Sequence, residues 1–303
     1  MKVEKPTKVV KLKGGMGNQM FQYAFAKLIQ NLSCADVKLD YTAFESINDV
    51  IRIPKIQKLN ISLKPICPNE LKYYHKLPYT PYSLNNFYKI KIILEQLINS
   101  EYYFEFSCRY KNPSYILQNS YFDGYWQSWK YVSPIKLILK EEFTPKEKLS
   151  TAANQIINEI QNTNSVFVGI RRGDYVTSWR TRWEYGSFSE KYYLNAMNYI
   201  CQHVDNPIFF IFSNDIDWVK CNMNFSHFNI RYREQNQLDD FEEFFLMKSC
   251  KHGIIANSTY YWWAAWLIEN MNKIIIAPQK WFANGAPISI VPPSWIKFND
   301  SFR

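Results

Sequence analysis

The chain has 303 residues, 47% of them hydrophobic, and a formal charge of +9. That is ample for one large or two ordinary folded domains, so a disordered or low-complexity protein is excluded. The charge favours an anionic partner, such as a nucleotide, nucleic acid or an acidic membrane surface. The lysines are scattered, and the densest cluster, Lys136 to Lys148, is interrupted by Glu141, Glu142 and Glu147, as in a solvated face. Six cysteines and four histidines show neither a CxxC pair nor zinc spacing, so no metal site is expected. The cysteines are expected to pack as small hydrophobes in a reducing compartment. Met1 to Lys13 lacks the apolar core of a signal peptide, and no apolar run is long enough to span a bilayer. The expected location is the cytoplasm, peripheral to the inner membrane face. Aromatics make up 17% of the chain, suiting surfaces that stack on sugars or bases, or an aromatic-rich core.

In chain order, Lys8 to Lys13 reads as a strand, Gly14-Gly15-Met16-Gly17 as a turn, Asn18 to Leu32 as a helix and Val37 to Asp40 as a second strand. Phe21, Ala24, Phe25, Leu28 and Ile29 recur at helical spacing, so one helix face should pack on a sheet. Residues 45 to 110 lose this pattern apart from short helical stretches such as Lys89 to Leu97, and read as an insertion or lid. Ser120 to Gln127 reads as a strand and turn, Pro134 to Ile160 as one or two amphipathic helices. The polar stretch Gln161 to Ser165 reads as a junction between domains 1–161 and 162–303.

Beyond it the chain alternates. Strands are expected at 165–171, Ile208 to Ser213, Gly253 to Ala256 and Lys273 to Ala277. Helices are expected at about 188–203, about 239–250 and Tyr260 to Asn270. Nearly continuous apolar strands alternating with helices imply a parallel sheet covered on both faces, a Rossmann-like domain.

Three strand ends in this half carry polar loops that should converge on one crevice. Ile170-Arg171-Arg172-Gly173-Asp174-Tyr175 places two cations on a turn, which suits an anion; the alternative is an ion-pair network through Asp174. Phe212-Ser213-Asn214-Asp215 offers a carboxylate for a ribose or a guanine edge, or for a surface lysine. Ala256-Asn257-Ser258-Thr259 runs into a helix, where Ser258 or Thr259 either caps it or contributes to a phosphate site.

The segments Gly14 to Ala24, Ile170 to Tyr175 and His252 to Thr259 with Trp262-Trp263-Ala264-Ala265-Trp266 resemble the α-1,2-fucosyltransferases of glycosyltransferase family 11, in the family's order, from residue 9 to about 282. The resemblance implies an α/β fold of GT-B type, two Rossmann-like domains facing a cleft, with an acceptor-side domain followed by a GDP-sugar domain. It implies metal-independent inverting transfer of L-fucose from GDP-β-L-fucose to the 2-hydroxyl of a terminal β-galactoside. No cofactor beyond the donor and no nucleic acid enters. Carried over, Arg171 holds the β-phosphate, Ser213, Asn214 and Asp215 hold guanosine, and Asn257, Ser258 and Thr259 close the phosphate site. Gly15, Gly17, Asn18 and Gln19 bring the first loop to the diphosphate or fucose. Asp174 is the first candidate base, with Asp123 or Glu184 behind it. Asp123, Trp126 and Gln127 are expected on the acceptor side, with aromatic faces among Trp126, Trp129, Trp179 and Trp183. Gly169 stands where many members have histidine, and Tyr261 where serine is common. The Lys-, Ile- and Asn-rich composition suggests bacterial surface-glycan synthesis on a lipid-linked acceptor.

Two other readings compete. A dinucleotide-dependent oxidoreductase would explain the glycine turn followed by Asp40 at the end of the next strand, although Met20 stands where a third glycine belongs. A non-catalytic glycan- or nucleic-acid-binding protein would explain the aromatics and the charge.

Overall fold

The computed structural model describes residues 6–44, 54–74, 93–94, 101–172, 186–233, 238–285 and 288–299. The chain forms two compact units, Met1–Lys146 with Ile288–Ile290, and Glu147–Pro287 with Val291–Arg303. This boundary precedes the expected junction at 161–165, because the amphipathic helix that ends there packs against a helix of the second unit.

In the first unit, β1 (Thr7–Lys11) leads through the glycine turn into α1 (Met16–Ser33) and back along β2 (Asp36–Asp40). Then come β3 (Lys64–Pro65), α2 (Pro68–Leu71), β4 (Tyr102–Phe104), β5 (Tyr121–Asp123), α3 (Trp129–Val132) and α4 (Lys136–Glu142). The strands form one sheet in the order β3-β2-β1-β5-β4, every pair parallel. The short edge strands β3 and β4 lie within 45–110, where their two or three residues are too few to show an alternating pattern. The expected helix over Lys89 to Leu97 lies largely outside the described residues.

Helix α1 departs from the one-faced helix its spacing suggests. From Met16 to Ile29 all its residues except Asn18 are buried, including Gln19, Gln22 and Lys27. Its polar side chains survive burial because each has partners. Gln22 accepts from the Lys13 amide at 2.9 Å and donates to the Gly124 carbonyl at 3.1 Å, and Lys27 pairs with Glu142 at 3.0 Å.

The second unit starts with α5 (Thr151–Gln161), capped by Ser150, whose hydroxyl accepts from the Ala153 amide. There follow β6 (Ser165–Ile170), α6 (Glu190–Cys201), β7 (Ile208–Ser213), α7 (Ile216–Asn222), β8 (Ile230–Tyr232) and α8 (Asp240–Lys248). The unit closes with β9 (His252–Ile255), α9 (Thr259–Leu267), β10 (Ile275–Pro278) and β11 (Ile296–Phe298). The sheet order is β11-β10-β9-β6-β7-β8, again fully parallel. Helix α9 has no polar face and is buried from Tyr261 to Leu267, as an element enclosed by packing must be.

Most aromatics are packing residues. Trp126, Trp262, Trp263, Tyr23, Tyr192 and Phe25 are among the largest fully buried side chains. The cysteines differ from expectation: of the six, only Cys250 is buried. Cys34, for example, is the exposed residue that ends α1 at φ 52°.

Candidate functional site

In the second unit the chain winds outward from β6 through β7 to β8, then returns to β9 on the other side of β6. The strand order therefore reverses between β6 and β9, the position at which open parallel sheets bind ligands beyond their carboxyl ends. Ile170 pairs with Ser213, and Gly169 with both Phe212 and Ile255. The three polar loops thus leave adjacent strands side by side, as their sequence positions suggest.

The two arginines are held differently. The Arg172 guanidinium lies 3.2 Å from the centre of the Trp218 ring, its Nε is 3.5 Å from Asp215 Oδ2, and its backbone amide donates to Asn214 Oδ1 at 2.9 Å. The Asp215 amide in turn donates to Ser213 Oγ at 3.1 Å. Arg172 is therefore a brace between the ends of β6 and β7, and Asp215 pairs with it rather than with a lysine. Arg171 is half-buried beside Tyr261. Burial pushes the Tyr261 hydroxyl above its ordinary pKa, and the Arg171 charge opposes that rise.

Gly169 lies flat against the Tyr261 ring: a Cβ there would meet ring carbons at 2.6 to 2.8 Å. The Tyr261 hydroxyl reaches the carbonyls of Ile170 and Phe212 at 3.3 and 3.5 Å, the last residues before Arg171 and Ser213. Gly169 and Tyr261 are thus one packing event. Ser258 is the N-cap of α9, but its side chain makes no cap hydrogen bond, so simple capping does not account for it. Asn257 is 1% exposed and donates from Nδ2 to the Trp281 carbonyl at 2.8 Å, a structural role. Asp174, Glu184, Trp179 and Trp183 lie outside the described residues.

The first unit has its own reversal point, between β1 and β5. Gly14 turns with φ 80°, the left-handed region that suits glycine, and Gly15 is the extended N-cap of α1, whose first turn contains Gly17 and Asn18. Asn18 Oδ1 accepts from Gln127 Nε2 at 2.9 Å, which joins the glycine turn to the β5 exit. Gln19 is turned inward instead. Its Nε2 donates to the Gly14 carbonyl at 2.9 Å and its Oε1 accepts from the Ile56 amide at 3.0 Å, so it braces the turn rather than facing a donor.

Asp123 ends β5 between two lysines, 2.5 Å from Lys13 Nζ and 3.4 Å from Lys11 Nζ. Burial alone would push its carboxyl up, but the lysine charges outweigh that and hold it down at about 2. Such a carboxylate is a fixed anion and a poor proton acceptor, which argues against Asp123 as the base. Lys11 ends β1 and Lys13 follows it by two residues, which lets both ammonium groups reach the same carboxylate.

Trp126 is also corrected. Its ring is 1% exposed and stacks on Phe25 at 3.8 Å, so it cannot offer a face to a sugar. Its backbone sits at φ 54°, unusual for a bulky residue. Glu105, just past β4, holds it there. Oε2 accepts from the Tyr125 amide at 2.6 Å and the Trp126 amide at 2.9 Å. Burial pushes the Glu105 carboxyl up to about 7, against the lowering pull of those amides and of Lys13. No sequence signal marks Glu105, whose partners lie in the turn that follows β5.

The dinucleotide reading loses its key residue. Asp40 is fully buried, with Oδ2 accepting from the Tyr121 hydroxyl at 2.5 Å and Oδ1 from the Thr42 amide at 2.8 Å. Among the described residues no cluster of three or more His, Cys, Asp or Glu is placed to hold a metal ion, and no helix is long and apolar enough to cross a membrane.

Comparison with known proteins agrees with this layout. The family model "Glycosyl transferase family 11" matches residues 7–299. An alpha-1,2-colitosyltransferase of Escherichia coli is 32% identical, the alignment covering 95% of this chain and 98% of the relative. The O-antigen biosynthesis glycosyltransferase WbnK of Escherichia coli is 28% identical, covering 94% and 98%. Among solved structures, fucosyltransferase NodZ from Bradyrhizobium superposes with a TM-score of 0.51 at 9% identity, covering 86% of this chain and 93% of that one, a likeness of fold alone. The fold is α/β of GT-B type, built from two Rossmann-like units. With a family match over nearly its whole length and a full-length relative at 32% identity, the chain belongs to glycosyl transferase family 11.

Proposed function

We propose that this glycosyltransferase moves L-fucose from GDP-β-L-fucose to the 2-hydroxyl of a terminal β-galactoside, with inversion at the anomeric carbon. The observation that carries the reading is the junction of Arg171, the Ser213–Asp215 loop and the Ser258–Thr259 helix start on three adjacent strand ends at a reversal of strand order. The α-1,2 linkage in the name of the 32% identical relative supports the regiochemistry.

The chemistry divides accordingly. Breaking the sugar–phosphate bond builds positive charge on the sugar ring and negative charge on the departing diphosphate, where a preorganised cation helps most. Arg171, directly after β6, supplies that cation, and Arg172 packs on Trp218 beside Asp215. The amides at the start of α9, with Ser258 and Thr259, hold the phosphates, and Ser213 to Asp215 hold guanosine. Asp174 takes the acceptor proton, no metal or cofactor is required, and the first unit receives the glycan. The +9 charge supports work at an anionic inner membrane surface on a lipid-linked acceptor.

A second reading keeps the site and changes the sugar. The 32% identical relative is named a colitosyltransferase, which favours assaying a colitosyl donor beside GDP-fucose.

Arg171→Ala tests the assignment. It should lower kcat by roughly 10²- to 10³-fold, the scale of losing one preorganised donor, with little change in acceptor KM. Near-normal turnover would remove Arg171 from the leaving-group site.

A further inference from the structure

The exit of β5 is held in a conformation it would not choose. Trp126 adopts φ 54°, in the left-handed region that bulky residues avoid, with its ring buried. The Glu105 carboxylate braces its backbone: Oε2 accepts from two successive amides, Tyr125 and Trp126. Gly124 is fitted to the same carboxylate, since a Cβ there would lie 2.6 Å from Glu105 Cβ and 2.9 Å from Oε2. The turn so formed carries the Gly124 carbonyl to Gln22 Nε2, brings Tyr125 within 4.8 Å of Lys13, and lets Gln127 donate to Asn18 beside the glycine turn.

Glu105 is already engaged through Oε2 by two backbone amides. It lines a cavity of only about 50 Å³ with Arg109, Lys111 and Trp126, too small for a hexose ring. We propose that Glu105 is a positioning residue of the acceptor side: its carboxylate fixes the 124–127 turn in the one geometry that joins Gln127 to Asn18 and so shapes the surface that receives the β-galactoside. The proposal rests on the reading that the first unit takes the glycan.

The test measures β-galactoside affinity by calorimetric titration without donor, GDP affinity in parallel, and acceptor KM and kcat where transfer occurs. Glu105→Ala should weaken acceptor affinity, and raise acceptor KM, by roughly 10- to 100-fold, the scale of an ångström-sized misplacement, with GDP affinity unchanged. Glu105→Gln, whose amide oxygen can accept from the same two amides, should recover most of the loss. If Glu105→Ala does not fold, Glu105→Asp, which withdraws the oxygen by one methylene, should show a smaller loss of the same kind. Unchanged acceptor affinity in the Ala or Asp variants, equal loss of GDP and acceptor, or no recovery in Glu105→Gln overturns the proposal, as does a wild-type protein that binds no β-galactoside. Wild-type protein that binds β-galactoside but transfers no fucose would instead count against the proposed reaction, and the binding series would still decide this point.

Discussion

At position 169 the backbone of β6 runs directly under the ring of Tyr261, and a single methyl would close to 2.6 Å. The protein cannot therefore accept a larger residue at 169 alone. Gly169→Ala should destabilise by about 1 to 3 kcal/mol through overpacking. Gly169→His should do worse by itself and recover when combined with Tyr261→Ser, with a coupling energy of about 0.5 to 3 kcal/mol in a thermal-denaturation double-mutant cycle. Additive single-mutant effects would show that the two positions do not share this space. The sequence does not link Gly169 with Tyr261, far apart in the chain, because a glycine carries no sign of what fills the room beside it. The side-by-side placement of Arg171 and Arg172 is legible, but their different surroundings are not, since Trp218 reaches Arg172 from α7, a helix absent from the sequence pattern.

At the scale of elements, long segments are legible and short ones mostly are not, the three-residue β5 excepted. The expected strand Ile208 to Ser213 is β7 to the residue, whereas the three-residue strands β4, β8 and β11 leave no pattern. The end of β5 shows why the candidate acceptor residues were only partly readable. Asp123 looks like a free carboxylate until Lys11 and Lys13 close on it. Asp123→Ala should cost about 3 to 5 kcal/mol by leaving two buried lysines without their counter-charge. A near-neutral shift in chemical denaturation would mean that the lysines find other partners. Glu105 predicts a pH effect of the opposite sign to that of Asp123. Its folded-state pKa of about 7 is raised above the ordinary carboxylate value, so the folded protein holds this proton longer than the unfolded chain. The contribution of Glu105 to stability therefore declines as pH rises from the ordinary value through about 7, and the uncharged Glu105→Gln removes that decline. The melting-temperature difference between Glu105→Gln and wild type should move in favour of Gln between about pH 5 and about pH 8. A constant difference would place the Glu105 proton elsewhere.

At the scale of the whole molecule, two parallel α/β units each present a reversal of strand order with polar residues at the carboxyl ends. The second-unit set is rich in side chains suited to a nucleotide diphosphate. The first-unit set joins a glycine turn to an ion-paired, carboxylate-braced loop. Fold class and family were legible because three long motifs keep their order along the chain, each at a strand end. The boundary between the units was not, because α5 looks the same in sequence whichever sheet it joins, and only its packing against α8 assigns it. The central claim is the transfer itself. Incubation with GDP-β-L-fucose, and in parallel with the colitosyl donor, and β-1,3- and β-1,4-linked galactosides, followed by linkage analysis of the product by NMR, measures it directly. The predicted result is a single fucose joined α-1,2 to the terminal galactose. No transfer to any galactoside, or a linkage to another hydroxyl, would contradict it.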